Sequence, residues 1–247
     1  MARLSVAFLG SGDAFGSGGR LQTCILVRSA TSHFLLDCGT TALIAMRRYG
    51  IEPNSIDTIC VSHLHGDHFG GIPFFLLEAQ LVSKRTRPLL IAGPPGTQQR
   101  LTQAMEVLFP GSSQVQQRFE VRIVELEPER PAALGDITVT PYVVQHASGA
   151  PPFALRLACA GKVITYSGDT EWTEALIPAA RGADVFIAEA YFFDKQVKFH
   201  LDYRTLMSHL TALSPKRLIL THMSADMLAR RETLPCECAE DGQVIEL

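Results

Sequence analysis

The stretch that decides the fold is Val61-Ser62-His63-Leu64-His65-Gly66-Asp67-His68-Phe69-Gly70-Gly71. A run with strand character, 58–62, leads into it, and an apolar run with helical character, 73–82, leads out. The segment between is therefore a strand-to-helix loop. Three imidazoles and a carboxylate fall within six residues. His63 and His65 are two apart, so in extended backbone their side chains point the same way. Gly66 lets the chain turn sharply before Asp67 and His68. The loop can thus offer ligands to two neighbouring points. Imidazole and carboxylate together suit Zn²⁺, and also Mn²⁺ or Fe²⁺. The chain has only eight histidines, so three in one loop are not a scatter of surface residues.

Outward from this loop, strand-like runs recur at 4–9, 21–27, 34–37, 89–92, 119–126, 137–144, 154–158, 163–167, 185–188 and 217–221. Helix-like runs lie at 41–48, 97–108, 171–181 and 202–213. In the last, Leu206, Leu210 and Leu213 share one face and Asp202 is the expected N-cap. Early strands alternate with turns, as in hairpins; later ones alternate with helices. This mixture predicts an α/β protein with two mixed sheets packed face to face and helices outside, a four-layer αββα sandwich. No stretch has linker composition, so residues 1–247 are expected to form a single domain.

With 47% hydrophobic and 19% charged residues, the chain can bury a sizeable core and is not disordered. No apolar run approaches the ~20 residues of a membrane span, and the apolar part of the N-terminus is too short for a signal peptide. The net charge of −3 argues against a dedicated nucleic-acid binder. Cys24, Cys38, Cys60 and Cys159 sit singly in apolar segments, as small hydrophobes do. Cys236 and Cys238 form a Cys-x-Cys pair without the second pair of a zinc ribbon, and are expected as two thiols on a terminal strand or turn. Reduced thiols and the missing export signal make the expected location cytoplasmic. Gly10, Gly12 and Gly16 follow a strand, but the next run reads as another strand, whereas a dinucleotide site needs a helix there. The run Lys84-Arg85-Thr86-Arg87 reads as a solvated turn; if it faced the metal rim it would steer an anionic substrate.

His-x-His-x-Asp-His at 63–68 resembles the signature of the metallo-β-lactamase superfamily, and the resemblance extends over nearly the whole chain. Leu9-Gly10-Ser11-Gly12-Asp13-Ala14 is similar to the first turn of the branch holding the tRNA 3′-end processing nucleases, ribonuclease Z, and Ala92-Gly93-Pro94-Pro95-Gly96 is similar to another of its turns. Phe34-Leu35-Leu36-Asp37-Cys38-Gly39, Tyr166-Ser167-Gly168-Asp169-Thr170 and Leu220-Thr221-His222 resemble further superfamily landmarks in the same order. The resemblance implies a first metal held by His63, His65 and His146, a second by Asp67, His68 and His222, and Asp169 bridging both. It implies Asp37 and Glu189 as residues that orient these histidines, Asp67 also as a catalytic group, and His200 as proton donor to the leaving group. His200 carries less of the motif, because Tyr191 stands at a Thr-like position and Leu201 departs from the nuclease branch's His-Ser-Thr. His33 and His209 match nothing and are expected to be structural or exposed.

The function so implied is a binuclear hydrolase with two divalent ions, Zn²⁺ foremost and Mn²⁺ or Fe²⁺ open, in which activated water attacks a phosphoryl centre. A phosphodiesterase acting on a small or cyclic phosphodiester is the expected activity. The alternatives are a tRNA 3′-processing endonuclease, another hydrolase of the superfamily (arylsulfatase, thioesterase or lactonase), and a non-hydrolytic biosynthetic protein on the same scaffold. In the short bacterial nucleases the basic arm that grips tRNA is inserted between the counterparts of His146 and Asp169. Here those residues are 23 positions apart, and the interval reads as turn, strand, turn and strand with only Arg156 and Lys162 as cations. The expected partner is therefore a small-molecule phosphodiester, with neither membrane nor nucleic acid; a homodimer stays open.

Overall fold

The computed structural model describes residues 4–247. One sheet takes β1 (Ser5–Gly10), β2 (Cys24–Arg28), β3 (His33–Leu36), β4 (Thr58–Cys60), β5 (Leu89–Gly93) and β6 (Val121–Glu125) in sequence order, with β14 (Val244–Glu246) beside β1. The other takes β7 (Ala132–Leu134), β8 (Ile137–Val143), β9 (Phe153–Cys159), β10 (Lys162–Tyr166), β11 (Val185–Glu189), β12 (Leu218–Thr221) and β13 (Glu237–Cys238), again in sequence order. The first sheet is covered by α1 (Ala42–Arg48), α2 (Gly66–Phe69), α3 (Ile72–Leu81) and α4 (Thr97–Leu108). The second is covered by α5 (Leu176–Ala180), α6 (Tyr203–Ser208), α7 (Leu210–Leu213) and α8 (Ala225–Leu228). This is the expected αββα sandwich of two mixed sheets.

The strands read as continuous apolar runs because both faces of each sheet are covered. Alternation decides which layer a side chain enters, not whether it is buried. On β3, Phe34 and Leu36 point between the sheets, while Leu35 points to the helices. On β11, Val185 and Ile187 meet the facing sheet, and Phe186 and Ala188 meet the outer helices.

Strand direction sets where the loops gather. Strands β3 to β6 are mutually parallel, as are β10 to β13. Strand β9 is antiparallel to both β8 and β10, so β8 runs with β10. The carboxyl ends of β3 and β4 therefore share one rim of the first sheet, and those of β8, β10, β11 and β12 share one rim of the second. The β9–β10 connection is Ala160-Gly161, both at positive φ and pairing Cys159 with Lys162, a tight two-residue hairpin.

Three short strands, β7, β13 and β14, carry no run long enough to read. The predicted helix 171–181 is helical only from Leu176; Glu171 instead bridges to Gln145. The run 202–213 splits at His209 into α6 and α7, and Asp202 caps α6 by accepting from Thr205 N–H at 2.9 Å. His209 stacks on Trp172, and His33 is half-buried at the start of β3. Arg85 corrects the expectation of a solvated basic turn. It is 1% exposed and donates to the carbonyls of Ile56, Arg87 and Pro88, while Arg87 pairs with Asp57. The run precedes β5, at the opposite end of the strand from the rim, so these residues do not face the metal loop. All six cysteines are free; Cys236 and Cys238 are half-buried at β13 and the other four are buried. No helix of the described residues is long and apolar enough to cross a membrane.

Candidate metal centre

Each candidate ligand follows a strand end. His63, His65, Asp67 and His68 come after β4, with Asp67 and His68 on the single turn of α2; His146 comes after β8, Asp169 after β10 and His222 after β12. The ligand atoms collect into two groups, His63 with His65 and His146, and Asp67 with His68, Asp169 and His222; within each group they lie within 4.8 Å of one another. Asp169 Oδ2 is 3.9 Å from both His63 Nε2 and His146 Nε2 and 3.4 Å from His222 Nε2, so it stands between the groups.

Four of the five imidazoles have the outer nitrogen hydrogen-bonded, and the fifth, His222, turns it toward a carboxylate. His63 Nδ1 meets Ser62 Oγ at 3.0 Å, His65 Nε2 donates to the Ala147 carbonyl at 3.1 Å, and His146 Nδ1 donates to the Phe199 carbonyl at 2.9 Å. His68 Nδ1 donates to Asp37 Oδ2 at 2.6 Å, and His222 Nδ1 faces Glu189 Oε1 at 3.4 Å. This leaves His63 Nε2, His65 Nδ1, His146 Nε2, His68 Nε2 and His222 Nε2 directed inward, with outer partners of the kind that fix metal-binding tautomers. Two inward atoms, His63 Nε2 and Asp169 Oδ1, are buried without a hydrogen-bond partner. Buried polar atoms are rarely left so, and cations held by the two groups would satisfy them. The buried His and Asp clusters fit a binuclear metal site.

Asp37 holds the first-sheet half of the centre together. It is fully buried and accepts from Ser62 N–H at 2.7 Å, Ser62 Oγ–H at 2.8 Å and His68 Nδ1–H. It adopts φ +60°, as do His222 at +54° and Phe199 at +72°. Such values are uncommon for residues with a side chain, and here they turn a carboxylate, an imidazole and a carbonyl toward the centre. Gly168, at φ +60°, precedes Asp169 where a Cβ would lie 2.8 Å from the Phe153 carbonyl.

The electrostatics separate the two groups. Burial, with the charge of His68, holds His63 well below the usual imidazole range; burial, with His146, also lowers His65. Burial opposes charge on His222 too, but Asp169 and the bonds to Asp67 and Glu189 outweigh it and push the imidazole up to about 10. His68 goes the same way, burial being outweighed by Asp169, Asp67 and Asp37. Asp67 is held far below the ordinary range: burial opposes its charge, but His68 and the bond to His222 prevail.

His200 stands beside this centre. Its Nδ1 donates to Glu189 Oε1 at 2.5 Å, and Glu189 Oε2 accepts from Thr170 N–H at 2.8 Å. Burial disfavours the imidazolium, but the bond and charge of Glu189 raise its pKa on balance. With His65, Asp67, His146, Asp169, His222, Tyr191, Ala14 and Phe15 it lines a cavity of about 200 Å³. The sequence reading missed Ser62, the Phe199 carbonyl, Tyr191 as a wall packed on His200 and Phe15 at the mouth. Ser62 gains its role from lying opposite Asp37 across β3 and β4, for which there is no local signal; Phe15 is one residue past the quoted first-turn motif.

Residues 4–245 match the family model described as Anti-Pycsar protein Apyc1. The chain belongs to that family. It is also 26% identical to a ribonuclease Z of Agathobacter rectalis, over 94% of this chain and 91% of that protein. The human short-form tRNase Z is 25% identical, with a TM-score of 0.80 and 98% of each chain covered. The metallo-beta-lactamase fold protein YhfI of Bacillus subtilis superposes with a TM-score of 0.79 at 20% identity, covering 99% of this chain and all of the other. The chain is a ribonuclease Z-like member of the metallo-β-lactamase superfamily and a metal-dependent hydrolase by that kinship.

Proposed function

We propose that the chain is a binuclear metal-dependent phosphodiesterase acting on a small or cyclic phosphodiester. His63, His65 and His146 would hold one ion, Asp67, His68 and His222 the other, and Asp169 both, with Zn²⁺ the best match to the donor set and Mn²⁺ or Fe²⁺ compatible. When bound, the ions supply Lewis acidity toward phosphoryl oxygens and lower the pKa of water toward neutrality. The protein does the rest. Asp37 and Glu189 fix the histidines, and Asp67 lines the reaction cavity as both ligand and catalytic group.

The observation that carries the reading is the His200–Glu189 pair on the wall of that cavity. Nδ1 is taken by Glu189, so the Nε2 proton is the one available to a leaving alkoxide, and the bond and charge of Glu189 favour the imidazolium that carries it. Phosphodiesters with alkoxide leaving groups need such a proton; phenolate or thiolate esters need it far less. The reading takes residues 1–247 as one domain working in the cytoplasm.

The small substrate rests on the interval from His146 to Asp169. Strands β9 and β10 and their two-residue turn occupy it, so it has no room for an arm, and Arg156 is spent on the carbonyls of Ala179 and Arg181. Gripping a folded RNA requires many phosphate neutralisations, which a chain of net charge −3 does not concentrate there. The curated relative favours the second reading, a tRNA 3′-processing nuclease. The two part in a side-by-side assay at equal enzyme and ~0.15 M salt. Turnover of nucleoside cyclic phosphates with poor cleavage of precursor tRNA is expected. Efficient, position-specific cleavage of precursor tRNA at its 3′ end would replace this reading with the nuclease.

A further inference from the structure

Phe199 holds a backbone conformation that its residue type does not favour. His200 N–H donates to the Val197 carbonyl at 3.1 Å, closing a four-residue turn whose third residue is Phe199, at φ +72°. Turns with a positive φ at that position usually have glycine there. A phenylalanine persists in it only where its neighbours fix it. Two hydrogen bonds do so, one at each end of the residue. Phe199 N–H donates to Glu171 Oε2 at 2.9 Å, and the Phe199 carbonyl accepts from His146 Nδ1–H at 2.9 Å.

Glu171 is tied to His146 a second time, through the main chain. Glu171 N–H donates to the Gln145 carbonyl at 3.0 Å, and Gln145 N–H donates to Thr170 Oγ1 at 3.0 Å. Gln145 is peptide-bonded to His146. The contacts therefore close a circuit: the His146 imidazole, Phe199, the carboxylate and main chain of Glu171, Gln145, and back to His146. The Glu171 carboxylate has no ion pair among the described residues, and its one hydrogen bond there is to the N–H that sets the Phe199 carbonyl.

We propose that Glu171 is a positioning residue for the group of His63, His65 and His146. It fixes Phe199 so that the carbonyl holds His146 with its proton on Nδ1 and Nε2 free for an ion. This rests on the two-ion reading of the site and not on any choice of substrate. A neutral imidazole carries one proton, and an acceptor at Nδ1 decides that Nε2 is left as the ligand. Without its anchor the turn relaxes toward negative φ and the Phe199 carbonyl swings away. The imidazole is then free to rotate and to place its proton on Nε2. Glu171 also follows Asp169 by two residues, so the same anchor sets the imidazole relative to Asp169 Oδ2, 3.9 Å from His146 Nε2.

The test uses the full chain stripped of metal. Glu171→Met and Glu171→Ala remove the acceptor, methionine with little change of length. Glu171→Gln keeps a carbonyl oxygen for Phe199 N–H and removes only the charge. Titration with Zn²⁺ against a chromophoric chelator should show one step weakened about tenfold in the Met and Ala variants, the low end of what losing an imidazole's outer partner does. The other step should change less than about twofold, and Glu171→Gln should stay within about threefold of the original. The weakened step should be the one that His146→Ala weakens, and Glu171→Ala should add no further loss in that background, because the coupling runs through that imidazole. Equal losses in the Gln, Met and Ala variants would make charge the cause and overturn the proposal. So would weakening confined to the other step, or no weakening.

A spectroscopic readout stands apart from metal. In stripped protein with isotope-labelled histidine, at about pH 8 where an ordinary imidazole is neutral, long-range proton–nitrogen correlations distinguish the two tautomers. His146, assigned by comparison with His146→Ala, should carry its proton on Nδ1 in the original and in Glu171→Gln. That preference should be lost in the Met and Ala variants. The same tautomer in all four would refute the role of Glu171. If the original took up only one ion, the two-ion reading would fall while the tautomer still decided the role of residue 171.

Discussion

Asp37→Asn changes one atom's chemistry and leaves the shape. Asparagine tolerates the φ of +60° at this position, so the backbone does not object. The hydrogen bonds do. The groups bonded to the carboxylate are donors: Ser62 N–H toward Oδ1, and Ser62 Oγ–H and His68 Nδ1–H toward Oδ2, with the Tyr166 hydroxyl close by. With the amide nitrogen at the Oδ2 position, an N–H₂ meets His68 Nδ1–H at 2.6 Å. The relief available is for His68 to move its proton to Nε2, the atom directed at the second metal group. Flipped, the amide sets its donors against Ser62 N–H inside the protein, where an unmet donor costs about 1–3 kcal/mol. Either way the second group loses its prepared imidazole.

Losing such an outer partner weakens metal binding about 10- to 100-fold, or ~1.4–2.7 kcal/mol. The loss should be selective. Asp37 touches His68 directly, whereas His63 is reached only through Ser62. Titration of metal-stripped protein with Zn²⁺ against a competing chromophoric chelator should show two ions per chain in the original. In the variant, one binding step should weaken by that factor and the other by less than about threefold. Circular dichroism checks that the variant folds. Two unchanged steps, or equal weakening of both in a folded variant, would refute the tautomer argument; saturation at one ion in the original would refute the binuclear site.

His200→Ala should lower turnover of a poor-leaving-group phosphodiester by about 10²–10⁴ while metal content is retained. A nitrophenyl ester should suffer much less, and equal losses on both would show that His200 is not the leaving-group acid. Metal uptake by stripped protein should depend on pH more steeply at one group than at the other. His222, raised to about 10, carries a proton at pH 7, and against the pull of burial Asp169, Asp67 and Asp37 raise His68 as well, so an ion entering their group must displace protons. That step should strengthen as pH rises from 6 toward 9, by about tenfold per unit for each proton displaced. Burial lowers both His63 and His65, which favours their neutral, metal-ready form, so the other step should depend on pH less steeply. Calorimetry at pH 7 in buffers of different ionisation enthalpy counts the protons, and equal release at both steps would refute the assignment.

The loop at 63–68 pointed to metal chemistry because its candidate ligands are local: one short stretch of chain sets four of them. His146, Asp169 and His222 are single residues whose roles depend on three strands ending at one rim, and only the resemblance named them. Composition and apolar runs gave the layered fold, but not the layer each side chain enters, because double-sided burial erases the polar alternation that would mark it. Arg85 shows the opposite failure. Charge and neighbours read as surface, and only the carbonyls of Ile56, Arg87 and Pro88 around it explain why a guanidinium is buried. Glu171 was read as helix for lack of any signal that it would bridge Gln145 and receive Phe199 N–H instead.

The division of labour between the sheets explains why the centre costs backbone strain. Each candidate ion draws ligands from both: His63 and His65 from the first sheet with His146 from the second, Asp67 and His68 from the first with Asp169 and His222 from the second. An ion in either group would tie the two sheets together at the one rim where loops, not packed side chains, join them. Three of the seven non-glycine residues at positive φ among the described residues flank that seam, Asp37 on one side and Phe199 and His222 on the other. Each such conformation costs on the order of 1–3 kcal/mol and persists only where its surroundings over-determine it. Here the surroundings include the hydrogen bonds of Asp37 and His146, and binding of two ions would add free energy to the folded state alone. The strain therefore has its offset at the same seam, and loading the two groups with metal would stabilise the rim that carries the chemistry.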